Sequence, residues 1–299
     1  MKAKILDGKS TASLIRNRIK ELIDKEFKSR NFQPGLVAIL VGNNPASKIY
    51  VNAKAKACEE VGIYSKVIEL DEAISQNDLI DIIKQLNINP KFHGILVQQP
   101  LPKHINTEIV NQTIEPAKDV DGFHPVNMGK LLLDEVGLKP CTPLGIIELL
   151  RHYHIDLNGK NVVVIGRSNI VGKPLAVMLM QKNKFTNATV TVCHSSTKDI
   201  SFFTKNADVV ISAIGKPEFL KADMIKEDSV VIDVGINRID DLNSQKGYKI
   251  VGDVKFDEVS EKASYITPVP GGVGPMTIAM LLQNTLITSS KFYGLELYV

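Results

Sequence analysis

The stretch KNVVVIGRSNIVGKPLAVML, residues 160–179, carries the clearest signal of fold class in the chain. Its apolar run VVVI is typical of a strand buried on both faces of a parallel sheet. Gly166 and Gly172 follow the run, and Pro174 stands where a helix would begin. Small residues between a strand and a helix let backbone N–H groups approach a phosphate. The glycine spacing is not GxGxxG, so the segment fits a nucleotide site and an ordinary turn equally well.

Similar apolar runs alternate with helical stretches along the rest of the chain. The predicted strands lie at 35–42, 64–70, 94–98, 161–165, 189–193, 208–214 and 229–234. Residues 10–28 have apolar residues at helical spacing behind a Ser10 or Thr11 cap, which predicts the first helix. This order indicates βαβ units and parallel sheets.

Proline and glycine are densest at residues 115–145, where we place a domain boundary. The predicted fold class is α/β, with two α/β domains. The first domain would contain residues 1–140 plus 277–299, and the second residues 141–276. A helix at about 276–289 would return the chain to the first domain.

Composition narrows the classes of function. The 36 Lys+Arg and 33 Asp+Glu among 299 residues leave a net charge of +3, which is too balanced for a chain that grips a phosphate backbone, so we expect no nucleic-acid partner. Cys58, Cys141 and Cys193 show no CxxC spacing, which favours a reducing compartment and argues against zinc. No stretch approaches the roughly 18 apolar residues of a membrane span. We therefore expect a soluble cytoplasmic protein that does not enter a membrane.

The end of the predicted strand at 189–193 indicates which nucleotide would bind. Cys193, His194 and Ser195 stand where an NAD site carries an acidic residue for the ribose 2′-OH. Arg167 and the hydroxyl of Ser195 can instead donate hydrogen bonds to a 2′-phosphate. We therefore expect NADP rather than NAD, the alternative being that Arg167 is a solvated loop arginine.

A candidate proton-transfer group lies in the first domain. Tyr50 and Lys54 are four apart on a predicted helix and share a face, whereas Lys56 points elsewhere. A lysine beside an aromatic ring in a cleft loses hydration, which favours its neutral form and suits it to proton transfer. Gln98 closes an apolar strand, where ligands usually sit in open α/β sheets, and its amide could hold the lysine. A solvated Lys54 and a Tyr50 that merely packs remain the alternative.

Other chemically suggestive segments are weaker. Asp119 and Asp121 would need further ligands to bind a metal, so we expect no metal site and regard an exposed turn as the simpler interpretation. TPVPGGVGPMT at 267–277 combines three prolines with three glycines, which predicts a stiff loop whose backbone can approach a ligand. The histidines do not form a constellation, and we assign none a catalytic role.

Eight motifs together resemble one family. They are YVNAKAK at 50–56, GILVQQPLP at 94–102, PAKDVDGFHPVNMG at 116–129, PCTP at 140–143, GRSNIVGKP at 166–174, VIDVGIN at 231–237, GDVKF at 252–256 and TPVPGGVGPMT at 267–277. They occur in order over nearly the whole chain, and the last is very specific. On these motifs the chain resembles the bifunctional methylenetetrahydrofolate dehydrogenase/methenyltetrahydrofolate cyclohydrolase (FolD) family.

The resemblance implies an enzyme of one-carbon metabolism, with a cleft between an N-terminal α/β domain and a Rossmann-like NADP-binding domain. It would oxidise 5,10-methylenetetrahydrofolate with NADP and hydrolyse the resulting 5,10-methenyl cation to 10-formyltetrahydrofolate, both at one site in the cleft. By the same resemblance Lys54 is the catalytic lysine, Tyr50 stacks on the aminobenzoyl ring, Gln98 tunes Lys54, and Asp121 binds the pterin. Gln99 departs from the leucine that the family commonly shows, which affects only local packing.

The cofactor would lie along Gly166, Arg167, Ser168, Ser195 and Ile236, and the resemblance implies a homodimer formed through the nucleotide-binding domain. Two other functions fit the same two-domain plan. One is a dehydrogenase of small carbonyl or amino-acid substrates, and four residues together argue against it: Tyr50, Lys54, Gln98 and Asp121. The other is a non-catalytic NADP sensor, which Lys54 and Asp121 disfavour.

Overall fold

A computed structural model describes residues 2–241 and 247–297 of the chain. It divides into two compact units. The N-terminal unit comprises Ser13–Cys141 and Ile278–Val299, and the central unit comprises Met1–Ala12 and Thr142–Thr277. Each is an α/β unit with a parallel sheet, which confirms the predicted fold class.

The chain begins with strand β1 (Lys4–Ile5) and helix α1 (Gly8–Leu22), which continues into one π-helical turn. The Asp7 carboxylate accepts hydrogen bonds from the backbone N–H groups of Lys9 (2.9 Å) and Ser10 (3.1 Å). Asp7 is therefore the helix cap, and the expectation of a Ser10 or Thr11 cap is wrong.

The N-terminal unit is built on a three-stranded parallel sheet. Its elements are β2 (Gly35–Val41), α2 (Pro45–Val61), β3 (Tyr64–Leu70), α3 (Gln76–Ile88), β4 (Gly94–Val97), α4 (Thr107–Thr113) and α5 (Pro125–Leu132). The strand order is β3-β2-β4. All seven residues of β2 are buried, as expected of a central parallel strand. The three strands predicted for this region are confirmed.

The central unit contains a larger parallel sheet with the order β1-β11-β8-β7-β5-β6. Its elements after β1 are α6 (Cys141–His152), β5 (Asn161–Ile165), α7 (Gly172–Met180), β6 (Thr189–Cys193), α8 (Ile200–Thr204), β7 (Val209–Ser212), β8 (Val230–Asp233), β9 (Asn237–Asp240), β10 (Tyr248–Val251), α9 (Phe256–Val259) and β11 (Tyr265–Ile266). Helix α10 (Val273–Phe292) then continues into the N-terminal unit. The four predicted strands of this region correspond to β5 to β8.

The amino-terminal residues differ from the sequence-based assignment. We expected residues 1–12 in the first domain, but β1 pairs with β11 at the edge of the six-stranded sheet, so these residues group with the central unit. A two-residue strand carries no periodicity from which such a pairing could be predicted. The other divisions, after Cys141 and after Thr277, lie one residue from the positions that we chose.

The three cysteines, Cys58, Cys141 and Cys193, are buried free thiols. Within the described parts of the chain, no helix combines the length and the apolar composition required to cross a bilayer.

Candidate active site and nucleotide site

The carboxyl edge of the N-terminal sheet is the natural place for a ligand. From β2 the chain crosses through α2 to β3 on one side, and it later forms β4 on the other side of β2. Ligands of open α/β sheets bind where the strand order reverses in this way. The backbone N–H of Gln98 donates to the carbonyl of Ile39 (2.9 Å), so Gln98 lies beside the end of β2 at this edge.

Lys54 and Gln98 are in direct contact. Lys54 lies on α2, which begins at Pro45 behind an Asn44 cap, and its side chain is only 9% exposed. Its ammonium donates to Oε1 of Gln98 at 2.9 Å. The Nε2 of Gln98 donates to the carbonyl of Gln99 (2.7 Å), which turns the amide oxygen toward the lysine. A solvated Lys54 is thereby ruled out.

Tyr50 lies one helical turn before Lys54, with 39% of its surface exposed. Burial raises the pKa of its phenol, so the hydroxyl remains protonated at neutral pH. Lys56 is exposed, as its position on the helix predicts. Tyr50 thus presents a neutral aromatic surface on the same face of α2 as Lys54.

Asp121 reaches the same edge by a short backbone pairing. Ile95 of β4 donates its N–H to the carbonyl of Lys118 (2.8 Å) and pairs in parallel with Asp119. Because Asp119 pairs beside Ile95, Asp121 lies two residues further along, at the same carboxyl edge of the sheet as Gln98. Burial raises the pKa of Asp121 to about 6, opposed by the positive charge of Lys54 and reinforced by the negative charge of Asp119. The two functional candidates, Lys54 and Asp121, interact electrostatically.

Asp119, unlike Asp121, stabilises the loop through hydrogen bonds of its carboxylate. It is buried, and its carboxylate accepts hydrogen bonds from the N–H groups of Gly122 (3.2 Å) and His124 (2.8 Å) and from the amide of Asn127 (2.9 Å). This carboxylate folds the loop that presents Asp121, so the exposed-turn interpretation is wrong for Asp119. Among the described residues, no three potential ligands cluster as a metal site requires.

Asn284 is a residue of this site that the sequence analysis missed. Its buried amide, on α10, donates to the carbonyls of Val120 (2.8 Å) and Lys139 (2.9 Å) and contacts the sulfur of Cys141 (3.6 Å). It therefore fixes the backbone immediately before Asp121. The one feature in the sequence that could have indicated Asn284 is its amide within the apolar run of this helix. Its acceptors lie about 145 and 164 residues away in sequence, so a local pattern does not identify them.

In the central unit, the corresponding switch point lies at β5, which has β6 on one side and β7 on the other. Ile165 pairs with Cys193 and with Ser212, so the loops after these three strands meet at one edge. Gly166 comes directly after β5, and Ser195 comes shortly after β6. The register thus brings together two of the predicted cofactor residues.

Gly166 and Gly172 allow the chain to approach itself closely. Gly166 has φ +124°, and a Cβ at this position would lie 2.3 Å from the carbonyl oxygen of Ala213. A Cβ on Gly172 would lie 2.2 Å from the carbonyl oxygen of Gly166. Both positions require glycine, which explains two small residues without the GxGxxG spacing.

The remaining side chains at this edge fit a 2′-phosphate. The Ser168 hydroxyl accepts from the N–H groups of Val171 (3.2 Å) and Gly172 (3.4 Å), which leaves its own proton free to donate. Arg167 and Ser195 are both exposed. The end of β6 carries no acid at Cys193, His194 or Ser195. One guanidinium with serine hydroxyls is then the donor set that favours NADP over NAD.

Ile236, the last predicted cofactor residue, follows β8 and is 51% exposed. The fully buried Asp253 fixes its surroundings, because its carboxylate accepts from the N–H groups of Ile214, Gly215 and Lys216 (2.8, 3.1 and 2.9 Å) and from the amide of Asn237 (3.0 Å). Asp253 thus ties together the loops after β7 and β8.

Asp233 in turn holds Asp253. Its carboxylate accepts from the N–H groups of Gly235, Asp253 and Val254 (3.0, 2.8 and 2.9 Å), and burial raises its pKa to about 7. The motifs at 231–237 and 252–256 are therefore two halves of one buried network, which the sequence analysis quoted but did not connect.

In the loop at 267–277, the backbone of Gly271 and Gly272 packs closely against another segment of the protein. A Cβ on Gly8 would lie 1.8 Å from the carbonyl oxygen of Gly272, and the N–H of Lys9 donates to the carbonyl of Gly271 (3.0 Å). The close approach that we expected toward a ligand is thus made, at these residues, toward the start of α1.

These features define a class: a two-domain α/β protein with a dinucleotide-binding sheet in one unit and a buried lysine site in the other. Comparison with known proteins gives the family. The model of the tetrahydrofolate dehydrogenase/cyclohydrolase catalytic domain matches residues 6–121, and that of the NAD(P)-binding domain matches residues 140–292. The chain belongs to the tetrahydrofolate dehydrogenase/cyclohydrolase family.

Individual relatives cover almost the whole chain. The bifunctional protein FolD of Chloroherpeton thalassium is 53% identical over 290 residues, which are 96% of this chain and 99% of the relative. The crystal structure of the Campylobacter jejuni bifunctional enzyme FolD is 52% identical and superimposes with a TM-score of 0.91, covering 97% of this chain and 99% of the other. The Trypanosoma brucei dehydrogenase-cyclohydrolase, solved with NADP cofactor and inhibitor, is 38% identical with a TM-score of 0.91, covering 97% and 98% of the two chains.

Proposed function

We propose that this chain catalyses two consecutive reactions of folate metabolism. The first is the NADP-dependent oxidation of 5,10-methylenetetrahydrofolate to the 5,10-methenyl cation, and the second is hydrolysis of that cation to 10-formyltetrahydrofolate. The observation that carries the proposal is the buried Lys54–Gln98 pair beside Asp121. Membership of the family, with both domain models matched, supports the same assignment.

The folate would be held by Asp121 and Tyr50. A carboxylate can accept paired hydrogen bonds from the amino-pyrimidine edge of a pterin. The partly exposed, uncharged ring of Tyr50 offers a stacking surface for the aminobenzoyl group. These contacts would hold the reacting carbon near Lys54.

The NADP would be held by the edge of the central sheet. Arg167 and Ser195 would bind the 2′-phosphate, Gly166 and Ser168 would line the phosphates, and Ile236 would pack near the nicotinamide. When bound, NADP supplies the acceptor for the hydride that leaves the folate. The buried Asp253 would keep the loops on both sides of that half of the site in place.

Lys54 would manage the protons of the second reaction. The hydride leaves a cation delocalised over two nitrogens, which is itself the electrophile for water. As water attacks the carbon, Lys54, which must have released its ammonium proton in this complex, takes one proton from the water, and this proton passes to N5 as the carbon–N5 bond breaks. The remaining hydroxyl proton is released as the formyl carbonyl forms. Gln98 holds the amine, while burial limits competition from bulk water.

We also propose the finer assignments that follow from the resemblance. The N-terminal unit would form the catalytic, folate-binding domain, and the central unit would bind NADP. The protein would act in the cytoplasm, which its three free thiols suit, and as a homodimer.

A coupled assay tests the function. The purified protein is given 5,10-methylenetetrahydrofolate and NADP, and both NADPH formation and the later decay of the methenyl chromophore are followed. We expect both rates to exceed those without protein. NADPH formation with no accelerated decay would leave only the dehydrogenase. Tight NADP binding without turnover would support the sensor alternative, and turnover of small carbonyl substrates alone would support the other dehydrogenase class.

A further inference from the structure

A cavity lies in the N-terminal unit, at the opposite edge of the sheet from Lys54. Its volume is about 450 Å³, and it is lined by His93, which precedes β4, by Lys118 and by residues of α5 and α10. Gln98 lies at the other end of β4. The cavity is therefore separate from the site proposed for folate, and its size is within the range of small-molecule pockets.

His93 presents a buried donor without a partner. Its Nδ1 accepts the backbone N–H of Gly35 (2.9 Å), so in the neutral ring the proton is on Nε2. Burial, helped by the charge of Lys118, lowers the pKa of His93 to about 4, and the ring is neutral at physiological pH. Within the described residues, this buried Nε2 has no hydrogen-bond partner, which in a native protein indicates a missing acceptor.

Lys118 adds a partly desolvated positive charge. Its ammonium donates to the carbonyls of Leu86 (3.2 Å) and Asn89 (2.9 Å), which leaves one of its three N–H groups available. Burial lowers the pKa of Lys118, and the nearby Glu115 only partly compensates. His93 and Lys118 both line the cavity, and a bound anion stabilises both an unpartnered neutral donor and a desolvated cation.

Two more lysines extend this positive lining. Lys130 on α5 and Lys291 on α10 line the cavity, and neither forms an ion pair with any residue that the structure describes. Glu115 is the only acid among the described lining residues. The remaining walls include Val136, Leu138 and Phe292, of which Val136 is 85% exposed.

We propose that this cavity binds a small carboxylate with an apolar body, of the aromatic-acid class. The carboxylate accepts from the lysines. It also accepts from the buried Nε2 of His93 once the exposed ring of Phe292, which packs on the imidazole at 4.7 Å, moves aside. The apolar body lies against Leu138 and Phe292. Inorganic phosphate matches the charge but not the apolar walls, and a neutral aromatic matches the walls but not the charge.

Titration of the full-length protein with matched probes tests the proposal. Benzoate, the neutral isostere benzamide and inorganic phosphate are added at neutral pH, in the absence of folate and NADP. Binding is followed by calorimetry and by NMR of ¹⁵N-labelled histidine side chains. We expect benzoate to shift the imidazole resonances of His93. It should also bind about tenfold more tightly than either other probe, because benzoate alone combines charge-assisted hydrogen bonds with an apolar body that fills the space between the walls.

A double variant provides the control. Lys130→Gln with Lys291→Gln should weaken benzoate binding about tenfold and leave benzamide binding unchanged. Lys84→Gln removes one positive charge from an exposed ion pair on α3 and should have no effect. Benzoate binding no tighter than benzamide binding, unchanged affinity in the double variant, or a His93 resonance that does not move would each overturn the proposal. Phosphate that binds as tightly as benzoate would overturn the assignment of the ligand class.

Discussion

Asp119 and Asp121 are two residues apart in sequence, but their carboxylates have different surroundings and different hydrogen-bond partners. The carboxylate of Asp119 accepts hydrogen bonds from its own loop and from Asn127 on α5. Asp121 has its charge opposed by burial and supported by Lys54. The sequence shows two equivalent acids, and only the fold of the loop tells which of them remains available to a ligand.

The raised pKa of Asp121 makes folate binding pH-dependent. As the pH falls through about 6, the carboxylate takes up a proton and can no longer accept two hydrogen bonds. We expect the dissociation constant of a folate analogue to rise about tenfold between pH 7 and pH 5, since one pH unit below a pKa leaves about a tenth of the group ionised.

The measurement is a binding titration at each pH, compared with Asp121→Asn. The variant should bind weakly at pH 7 and lack the contribution of this group to the pH dependence. A wild-type affinity that is flat across this range, or the same profile in both proteins, would contradict the role of Asp121.

Arg167 is predicted to distinguish the two nicotinamide cofactors. Arg167→Ala should weaken NADP binding at least about tenfold through loss of a charge-assisted contact with the 2′-phosphate, and NAD binding should hardly change. Lys205→Ala removes an exposed charge elsewhere on the central unit and serves as the control. Dissociation constants measured by calorimetry decide the matter, and equal losses for both cofactors would remove the 2′-phosphate assignment.

The residues that sequence reasoning identified and those it missed differ in a physical way. Helical spacing placed Tyr50 and Lys54 on one face, and the family resemblance then gave them their roles. Asn284 and Asp253 were missed as site residues because their hydrogen bonds join segments that are far apart in the chain. A local pattern does not carry information about such pairings.

At the level of secondary structure, the turn after β5 depends on Gly166. Gly166→Ala would place a methyl group 2.3 Å from the carbonyl oxygen of Ala213, in a backbone conformation that alanine disfavours. We expect the free energy of unfolding to fall by about 3 kcal/mol, together with a loss of NADP affinity.

Gly159 offers a matched control. It also has a positive φ, +70°, but a Cβ there meets nothing within 4 Å. Gly159→Ala should therefore cost only about 1 kcal/mol and leave NADP affinity unchanged. Urea denaturation and NADP titration of both variants test this, and equal destabilisation would show that the close approach to Ala213 has no special importance.

Long, buried strands were predictable from the sequence, whereas short or partly exposed strands were not. Seven predicted strands match observed ones because continuous apolar runs mark buried parallel strands. The sequence analysis did not predict β1, β11 or the β9–β10 hairpin, which are short or alternate between partly buried and exposed residues. Their positions are determined by pairing partners.

At the scale of the whole molecule, the proposed folate site and the proposed NADP site lie in different units. The lysine, glutamine and aspartate of the proposed folate site all lie in the N-terminal unit, and the proposed cofactor residues all lie in the central unit. Because the chain passes between the units near residues 12, 141 and 277, each unit is assembled from separate stretches of sequence. Substitutions in one site should therefore leave ligand binding by the other unit intact.

The most direct test is the cyclohydrolase rate of Lys54→Gln, measured with 5,10-methenyltetrahydrofolate as the substrate. Lys56→Gln, two residues along the same helix and exposed, is the control. We predict that Lys54→Gln loses at least about a hundredfold in rate, the usual contribution of a positioned proton-transfer group, while its NADP affinity and the rate of the control stay at the wild-type level. A Lys54→Gln protein that hydrolyses the methenyl substrate at the full rate would contradict the account.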